Sequence, residues 1–304
     1  MSSTGQEAPE LSRAEARLLL GAPIATAIRD SVREDVAAFI ERSGKAPGVT
    51  IVLVGDDGAS RVYAARILRN TAAVGIAGEL LELPRLTTAT ELREHLMRLN
   101  ADPRVAGVIV QMPLPRQIAR RDVIEVIDPL KDIDGIHPVN VGLAALGHRA
   151  FVPSCAEAAL EMLKAHGEPI AGKRAVVVGR SEVVGRPVAA LLLRESATVI
   201  ICHRRTRDLA AEVRRAEVVV VAAGIPGLIT GDMVAPGATL VDCGINLVDE
   251  QIVGDVDLPS VMRIAGAVTP VPGGVGPVTN AVLLRHVVRA ARASLERQAA
   301  LTAT

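Results

Sequence analysis

The stretch Val176-Val177-Val178-Gly179-Arg180-Ser181-Glu182-Val183-Val184-Gly185-Arg186-Pro187 constrains this chain more than any other. A β-branched run stops at a glycine, a tight turn follows, and a second glycine opens a predicted helix from Val188 to Arg194. A nucleotide-binding βαβ unit needs this order. Glycine lets the backbone approach a pyrophosphate, whose charge then meets the amides at the helix N-terminus. The spacing departs from G-x-G-x-x-G: Ser181 takes the middle position and Gly185 arrives one residue late. An ordinary tight strand–helix connection would also use glycine, for close packing alone.

Composition narrows the classes. A length of 304 residues suggests two domains, and 49% apolar with 22% charged residues supplies a sizeable core. Lys+Arg and Asp+Glu both number 34, so no net field attracts nucleic acid or an anionic membrane. With one Tyr, two Phe and no Trp the core must be aliphatic, and a stacking platform for bases is excluded. Cys155, Cys202 and Cys243 are widely spaced, with no C-x-x-C pair. They read as core thiols in a reducing compartment, not as a disulfide frame or a metal site. No apolar run reaches the roughly 18 residues of a membrane span. Leu18 to Ile28, behind Arg13 and Arg17, faintly imitates a signal peptide, but Glu7, Glu10 and Glu15 spoil the basic leader. The expectation is a cytoplasmic globular protein with a loose polar tail over residues 1–12.

In chain order, apolar spacing predicts a helix over 23–42, and Val49 to Val54, stopped by Gly55, reads as a buried parallel strand. Ser60 is the expected N-cap of a helix running to Val74. A strand at 80–83, a helix at 88–99, a strand at 105–110 and a helix at 122–127 continue the alternation. Gln111-Met112-Pro113 leaves the last of these strands at its carboxyl edge, where open α/β sheets place ligands. Residues 13–150 thus form one α/β domain. After a connecting helix (156–166) the alternation restarts with strands at 174–178, 198–202, 218–222, 239–242 and 264–268, making 151–280 a second domain. The Pro/Gly-dense stretch Pro270 to Pro277 is expected as a loop, and the helix 280–301 as a closing element packed back on the first domain.

Three features suggest chemistry. The second strand of a Rossmann unit ends near the adenosine ribose, where an acid selects NAD through the 2′-hydroxyl. Here that strand ends Cys202-His203-Arg204-Arg205-Thr206-Arg207, with no acid until Asp208 and with Arg180 nearby in the glycine turn. Guanidiniums suit a 2′-phosphate, so NADP is expected, although a solvated basic loop would look the same. Pro272-Gly273-Gly274-Val275-Gly276-Pro277 pairs proline stiffness with glycine access, which suits a binding loop better than a surface turn. Tyr63, the sole tyrosine, stands early on the 60–74 helix just after a strand edge. Locally, Asp134 is a turn residue before Gly135 or a general base, and His137 a packing or capping residue.

Taken together these segments resemble the methylenetetrahydrofolate dehydrogenase/cyclohydrolase family of bacterial FolD type, from about Leu20 to the last helix. The matching stretches are Val54-Gly55-Asp56 with Ala59-Ser60 and Tyr63, Val110-Gln111-Met112-Pro113-Leu114-Pro115, Lys131-Asp132-Ile133-Asp134-Gly135 and Val178-Gly179-Arg180-Ser181. Val241-Asp242-Cys243-Gly244-Ile245-Asn246, Gly254-Asp255-Val256 and Thr269 to Pro277 complete them. The late glycine of the opening stretch is the family's own pattern. The resemblance implies two αβ domains, the second of Rossmann type holding NADP, with a tetrahydrofolate derivative in the cleft between them. Tyr63, Gln111 and Asp134 would be catalytic. Tyr63, Ile67, Val110, Gln111, Met112, Pro272, Gly273, Gly274, Val275 and Gly276 would meet the folate. Gly179, Arg180, Ser181, Arg204 and Ile245 would hold NADP. No metal is implied, and a homodimer through the cofactor domain is.

Two departures stand out. The family's catalytic lysine falls four residues after its tyrosine, and here that residue is Ile67. Arg66 is expected to point roughly 100° away around the helix, and a guanidinium does not release protons near neutrality. Pro153-Ser154-Cys155-Ala156 replaces the usual Pro-x-Thr-Pro before the linking helix. Hydride transfer is mainly positioning, whereas ring opening by water needs protons moved. The expectation is therefore NADP-dependent oxidation of 5,10-methylenetetrahydrofolate with the cyclohydrolase step weak or absent. The alternatives are a fully bifunctional enzyme and a non-enzymatic folate- or NADP-binding paralogue.

Overall fold

The computed structural model describes residues 15–302, so the expected polar tail lies outside the described residues. After a two-residue strand β1 (Arg17–Leu18), the first domain runs α1 (Gly21–Ser43), β2 (Gly48–Val54), α2 (Gly58–Ala72), β3 (Ala77–Leu83), α3 (Ala89–Ala101), β4 (Val105–Val110), α4 (Arg120–Ile124) and α5 (Pro138–Ala145). The helix α6 (Ser154–Ala165) leads to β5 (Arg174–Val178), α7 (Gly185–Arg194), β6 (Thr198–Cys202), α8 (Leu209–Val213), β7 (Val218–Val221) and β8 (Thr239–Asp242). A hairpin of β9 (Asn246–Val248) and β10 (Gln251–Val253), a short α9 (Leu258–Val261), β11 (Ala267–Val268) and a closing α10 (Val275–Thr302) complete it.

Two parallel sheets result. The first has the order β3-β2-β4, and the second the order β1-β11-β8-β7-β5-β6. Central strands β2 and β7 are buried on both faces, as continuous Val/Ile/Leu runs require in a sheet covered by helices. One apolar core spans the junction. It joins Ile28 and Val32 of α1, Ile51 of β2, Leu163 of α6, Val177 of β5, and Val282 and Val287 of α10. The closing helix packs most extensively along α1 and then against α6 and β4.

Several expectations need correction. Asp57, not Ser60, caps α2: its carboxylate accepts from the Ser60 N–H (2.8 Å) and the Ser60 hydroxyl (2.7 Å). Carboxylate is the stronger acceptor, and Ser60 turns inward to donate to the Met112 carbonyl (3.1 Å). The helix expected at 122–127 is the short α4, and the strand expected at 264–268 shrinks to Ala267–Val268. The Pro270–Pro277 stretch is a loop only to Gly274. Val275, Gly276 and Pro277 form the first turn of α10, where a missing proline N–H costs nothing. β1, which joins the second sheet beside β11, and the β9–β10 hairpin have no counterpart among the expected elements.

A buried polar junction ties α10 to both domains. His286, 1% exposed, lies 2.8 Å through Nδ1 from the Ile133 carbonyl and 2.8 Å through Nε2 from the Glu157 carboxylate. The Ile133 carbonyl can only accept, so Nδ1 carries a hydrogen and donates to it. Arg285 donates to Glu157 and Glu161 (2.7 Å each), and Phe151 packs edge-on to the His286 ring at 5.5 Å. Burial alone would raise the Glu157 carboxyl. His286 and Arg285 outweigh it and hold the group down at about 2. The folded value lies below the unfolded one, so the stabilisation is fully present above about pH 4.5 and disappears as pH falls through about 2. The linkage amounts to about 3 kcal/mol. Denaturant unfolding between pH 5 and pH 2 is expected to show the parent chain losing about that much more stability than Glu157→Gln. Equal losses in the two chains would refute the assignment.

Candidate active site between the two sheets

The turn after β5 is built by two glycines that cannot be anything else. Gly179 has φ +126°, and a Cβ on it would sit 2.1 Å from the Ala222 carbonyl oxygen. A Cβ on Gly185 would sit 2.3 Å from the Gly179 carbonyl oxygen and 2.8 Å from the Arg180 nitrogen. The late second glycine is thus set by the first, whose carbonyl it must accommodate. Ser181 Oγ accepts from the N–H groups of Val184 (3.1 Å) and Gly185 (3.3 Å), closing the turn onto α7 and leaving its own hydrogen free to donate. The result is a shallow backbone cradle at a helix N-terminus, the shape an anionic phosphate requires. Beside it, Arg180, Arg204, Arg205 and Arg207 are exposed. Asp208, the first acid after β6, is spent as the cap of α8, accepting from the Ala211 N–H at 2.9 Å.

A cavity of about 410 Å³ opens where α2, α6 and the second sheet converge. Tyr63 and Arg66 of α2 line one side and Cys155 of α6 another. The turn Asp242 to Ile245 and the run Pro270 to Pro277 form most of the rest, with Ile252, Thr279 and Asn280. Gly273 has φ +107°, and Gly274 would drive a Cβ to 2.6 Å from the Pro270 carbonyl oxygen, so the turn presents bare backbone to the cavity. A larger cavity of about 640 Å³ lies between α4, α5 and α7, bridged by the Arg120–Glu182 ion pair at 3.2 Å. Its wall is mostly aliphatic and lacks the tyrosine and the glycine turn, so chemistry concentrates in the smaller one.

Asp134 lines neither cavity. Its neighbour Gly135 lines the larger cavity, while its charge reaches Tyr63 in the smaller. Burial, with the Asp132 carboxylate adding to it and His286 and Arg120 opposing, pushes the Asp134 carboxyl up to about 6. Burial and the Asp134 charge push the Tyr63 hydroxyl up to about 12, so it stays a neutral donor. Asp132 itself is structural. It is fully buried and accepts from the N–H groups of Ile136 (3.2 Å) and His137 (2.8 Å) and from Asn140 Nδ2 (2.8 Å). His137 caps α5 through Nδ1, which accepts from the Val139 N–H at 3.0 Å.

Two further acids shape the opposite wall, and local sequence reasoning gave neither a role. Asp255 accepts from the N–H groups of Ala223, Gly224 and Ile225 (2.6, 2.8 and 3.0 Å) and from Asn246 Nδ2 (2.8 Å). Asp242 accepts from Gly244, Asp255 and Val256 (2.8, 3.1 and 2.9 Å), with burial raising its carboxyl to about 6. A Cβ on Gly254 would meet Asp242 at 1.9 Å, and one on Gly244 would meet Asp255 at 2.4 Å. The signal available in the sequence was this pairing of each acid with a nearby glycine.

The expected folate-side residues Tyr63, Pro272, Gly273, Gly274, Val275 and Gly276 line one cavity together with Ile245 from the cofactor side. Gln111, 6% exposed, stands at the end of β4 with its N–H bonded to the Val52 carbonyl at 2.9 Å. Val110 is core, and Met112 is partly exposed. Ile67, expected at the substrate, is instead packed in the core at 2% exposure. The buried stripe of α2 is Ser60, Ala64, Ile67 and Thr71, a helical repeat that takes position 67 inward. Arg66 lines the cavity beside Tyr63, because residues three apart share a helix face, while Ile67 next to it turns inward. Among the described residues, no cluster of three His, Cys, Asp or Glu side chains could hold a metal. No described helix is long and apolar enough to cross a membrane.

Comparison with known proteins agrees with this architecture along nearly the whole chain. Residues 19–134 match the tetrahydrofolate dehydrogenase/cyclohydrolase catalytic domain and residues 153–295 the NAD(P)-binding domain of the same family. The bifunctional protein FolD of Sorangium cellulosum is 48% identical over 285 residues, covering 93% of this chain and 99% of its own. That of Roseiflexus is 46% identical over 279 residues, covering 91% and 97%. Among solved structures, the bifunctional FolD enzyme of Campylobacter jejuni superposes with a TM-score of 0.89 at 38% identity, covering 91% and 99%. The Trypanosoma brucei enzyme complexed with NADP and an inhibitor gives 0.88 at 36%, covering 92% and 99%. Two family domains in order, on the predicted pair of α/β sheets, make this chain a member of the tetrahydrofolate dehydrogenase/cyclohydrolase family.

Proposed function

We propose that this chain oxidises 5,10-methylenetetrahydrofolate to 5,10-methenyltetrahydrofolate with NADP, and that the second family reaction, ring opening by water, is weak or lost. The observation that carries this reading is the lining of one cavity by Tyr63, the Pro272–Gly276 turn and Ile245, while the residue four after Tyr63 is a buried isoleucine. Tyr63, a neutral donor at physiological pH, orients the folate ring system, and the glycine turn lets the ligand lie against backbone. The Gly179–Gly185 cradle holds the pyrophosphate, and Arg180 and Arg204 meet the 2′-phosphate where no free acid favours a 2′-hydroxyl. When bound, the cofactor supplies the hydride acceptor. The chain's own task is then to hold the donor carbon in place and exclude water. Asp134, ionised above about pH 6, puts negative charge where the methenyl product becomes cationic.

Ring opening differs because protons must be moved. Ile67 offers no titratable group, and loss of a general acid–base residue typically costs about 10²–10⁴-fold. One observation favours retained bifunctionality: an Asp134 carboxyl near 6 can take and return a proton close to neutrality. The relatives named above are bifunctional in name. We also infer a homodimer through the second domain. β6 is an edge strand exposing Ile201, and the β9–β10 hairpin exposes Leu247 and Ile252.

Both steps should be assayed on the purified chain. NADPH should form from methylenetetrahydrofolate, while supplied methenyltetrahydrofolate should hydrolyse about 10²-fold or more slowly than with a lysine-containing relative. Equal hydrolysis rates would sink the proposal. Ile67→Lys should raise hydrolysis without changing NADP affinity. The dehydrogenase kcat/KM should fall below about pH 6 as Asp134 takes up its proton, and that limb should vanish in Asp134→Asn. A limb surviving in the variant would assign it elsewhere, with Asp242 first in line. Light scattering should return a dimer mass, and a monomer at micromolar concentration would remove the inferred interface.

A further inference from the structure

A third cavity, of about 230 Å³, lies where the segment before α6 meets α6, α7 and α10. Four cations line it: Arg149 ahead of α6, Lys164 near the end of α6, Arg194 at the end of α7 and Arg289 on α10. The two acids on the wall, Glu157 and Glu161, are already engaged from beside it. Arg285, which does not line the cavity, donates to each at 2.7 Å, and His286 Nε2 lies 2.8 Å from Glu157. Lys164 pairs with Glu195 at 2.6 Å. Arg149, Arg194 and Arg289 make no ion pair and no side-chain hydrogen bond with any described residue. The whole chain balances 34 basic against 34 acidic side chains, so this local surplus does not follow from composition.

We propose that this cavity binds a phosphate dianion, free or carried on a small ester, with Arg149, Arg194 and Arg289 as its ligands. Lys164 and Arg194 stand in last turns, where the helix dipole favours a cation. Arg149 and Arg289 have no such reason to be there. Arg289 is the fixed member, with its guanidinium 4.8 Å from the centroid of the Phe151 ring. Burial, with Arg149 and Arg285 adding to it and Glu157 opposing, pushes the Arg289 guanidinium down, yet a guanidinium keeps its proton. The crowding of like charges is therefore relieved by an anion and not by proton loss.

Size and charge select the anion. The cavity is smaller than the roughly 300–1,000 Å³ of sites that enclose drug-sized molecules, which suits a small ion. A phosphate monoester carries roughly 1.5 to 2 negative charges near neutrality, and guanidiniums meet its oxygens through paired N–H donors. A single carboxylate would leave most of the surplus charge unmatched. The site is separate from the glycine turn, since α7 is ten residues long and about 15 Å of helix divides Arg194 from Gly185. Through Glu157, the bound anion would sit against the His286 junction that joins the two domains.

The inference does not rest on the dehydrogenase reading, and its test is a binding measurement. Sodium phosphate is titrated calorimetrically, at constant ionic strength, into the purified full chain and two double variants, Arg149→Gln/Arg194→Gln and Arg180→Gln/Arg204→Gln. The second controls for phosphate held at the glycine turn. The parent and the glycine-turn variant should both bind phosphate at the cavity. Arg149→Gln/Arg194→Gln should bind that equivalent about tenfold or more weakly. Both of its substituted arginines are exposed and unpaired, so it should melt at the parent's midpoint without phosphate and lack the rise that phosphate gives the parent. Glycerol 3-phosphate in place of orthophosphate separates the sources, the tighter binder naming the ligand as an ester or the free anion. No saturable binding in the parent, undiminished binding in Arg149→Gln/Arg194→Gln, loss of all binding in the glycine-turn variant, or sodium acetate binding as tightly as phosphate would each overturn the proposal.

Discussion

The interaction on which the cleft depends is the double hydrogen bond of His286. One ring, donating to the Ile133 carbonyl and to Glu157, joins three segments more than a hundred residues apart in the outer pairs: the end of the first domain, the start of α6 and the middle of α10. Each has its own reason to be there. Ile133 precedes Asp134, Glu157 lies one turn into the helix that carries Cys155, and α10 begins with the turn that lines the cavity. A change in any of them would leave either a buried carbonyl or a buried carboxylate without its partner, which costs more than the bond itself contributes. The cleft is therefore held at its base by buried polar bonds and not by apolar packing alone. His286 also moderates the rise that burial imposes on Asp134.

Glycine plays the complementary role on the walls. Where His286 binds segments together, Gly179 with Gly185, Gly254 with Asp242, and Gly244 with Asp255 let backbones approach to distances that any side chain would forbid. In the last two pairs the contact made possible is with a carboxylate that itself accepts three backbone N–H groups. Such glycines specify the position of a polar group at one remove.

Much of the fold was readable because its strands are buried on both faces. Val105 to Val110, and Ala175 to Val178 behind Arg174, are unbroken apolar runs, and both strands have the same limits in sequence and structure. The two-residue strands β1 and β11 carry no period at all. β1 pairs only because Leu19, fully buried, and its neighbours are drawn against the second sheet. The start of α10 was hidden for a different reason: Gly276 and Pro277 are helix-breaking residues by propensity, tolerated in a first turn that needs no N–H donors. In the site, Tyr63 and the Pro/Gly turn stood out by their rarity. Asp242 and Asp255 did not, since an acid that accepts three backbone N–H groups looks locally like any turn residue.

On the reading proposed above, Ile67 stands at a catalytic position whose change leaves the fold undisturbed. It lies on the inward stripe of α2 with Ala64 and Thr71, so a lysine there would run its aliphatic stem through the core before its amine reached the cleft. Isoleucine fills such a channel with apolar contacts and removes the desolvation cost of a buried amine. On the proposed reading the exchange removes a proton carrier and leaves the core packed, and Arg66, which lines the cavity beside Tyr63, cannot cycle a proton in its place. On that reading hydride transfer, which rests on positioning, is spared, and ring opening, which rests on proton transfer, is not.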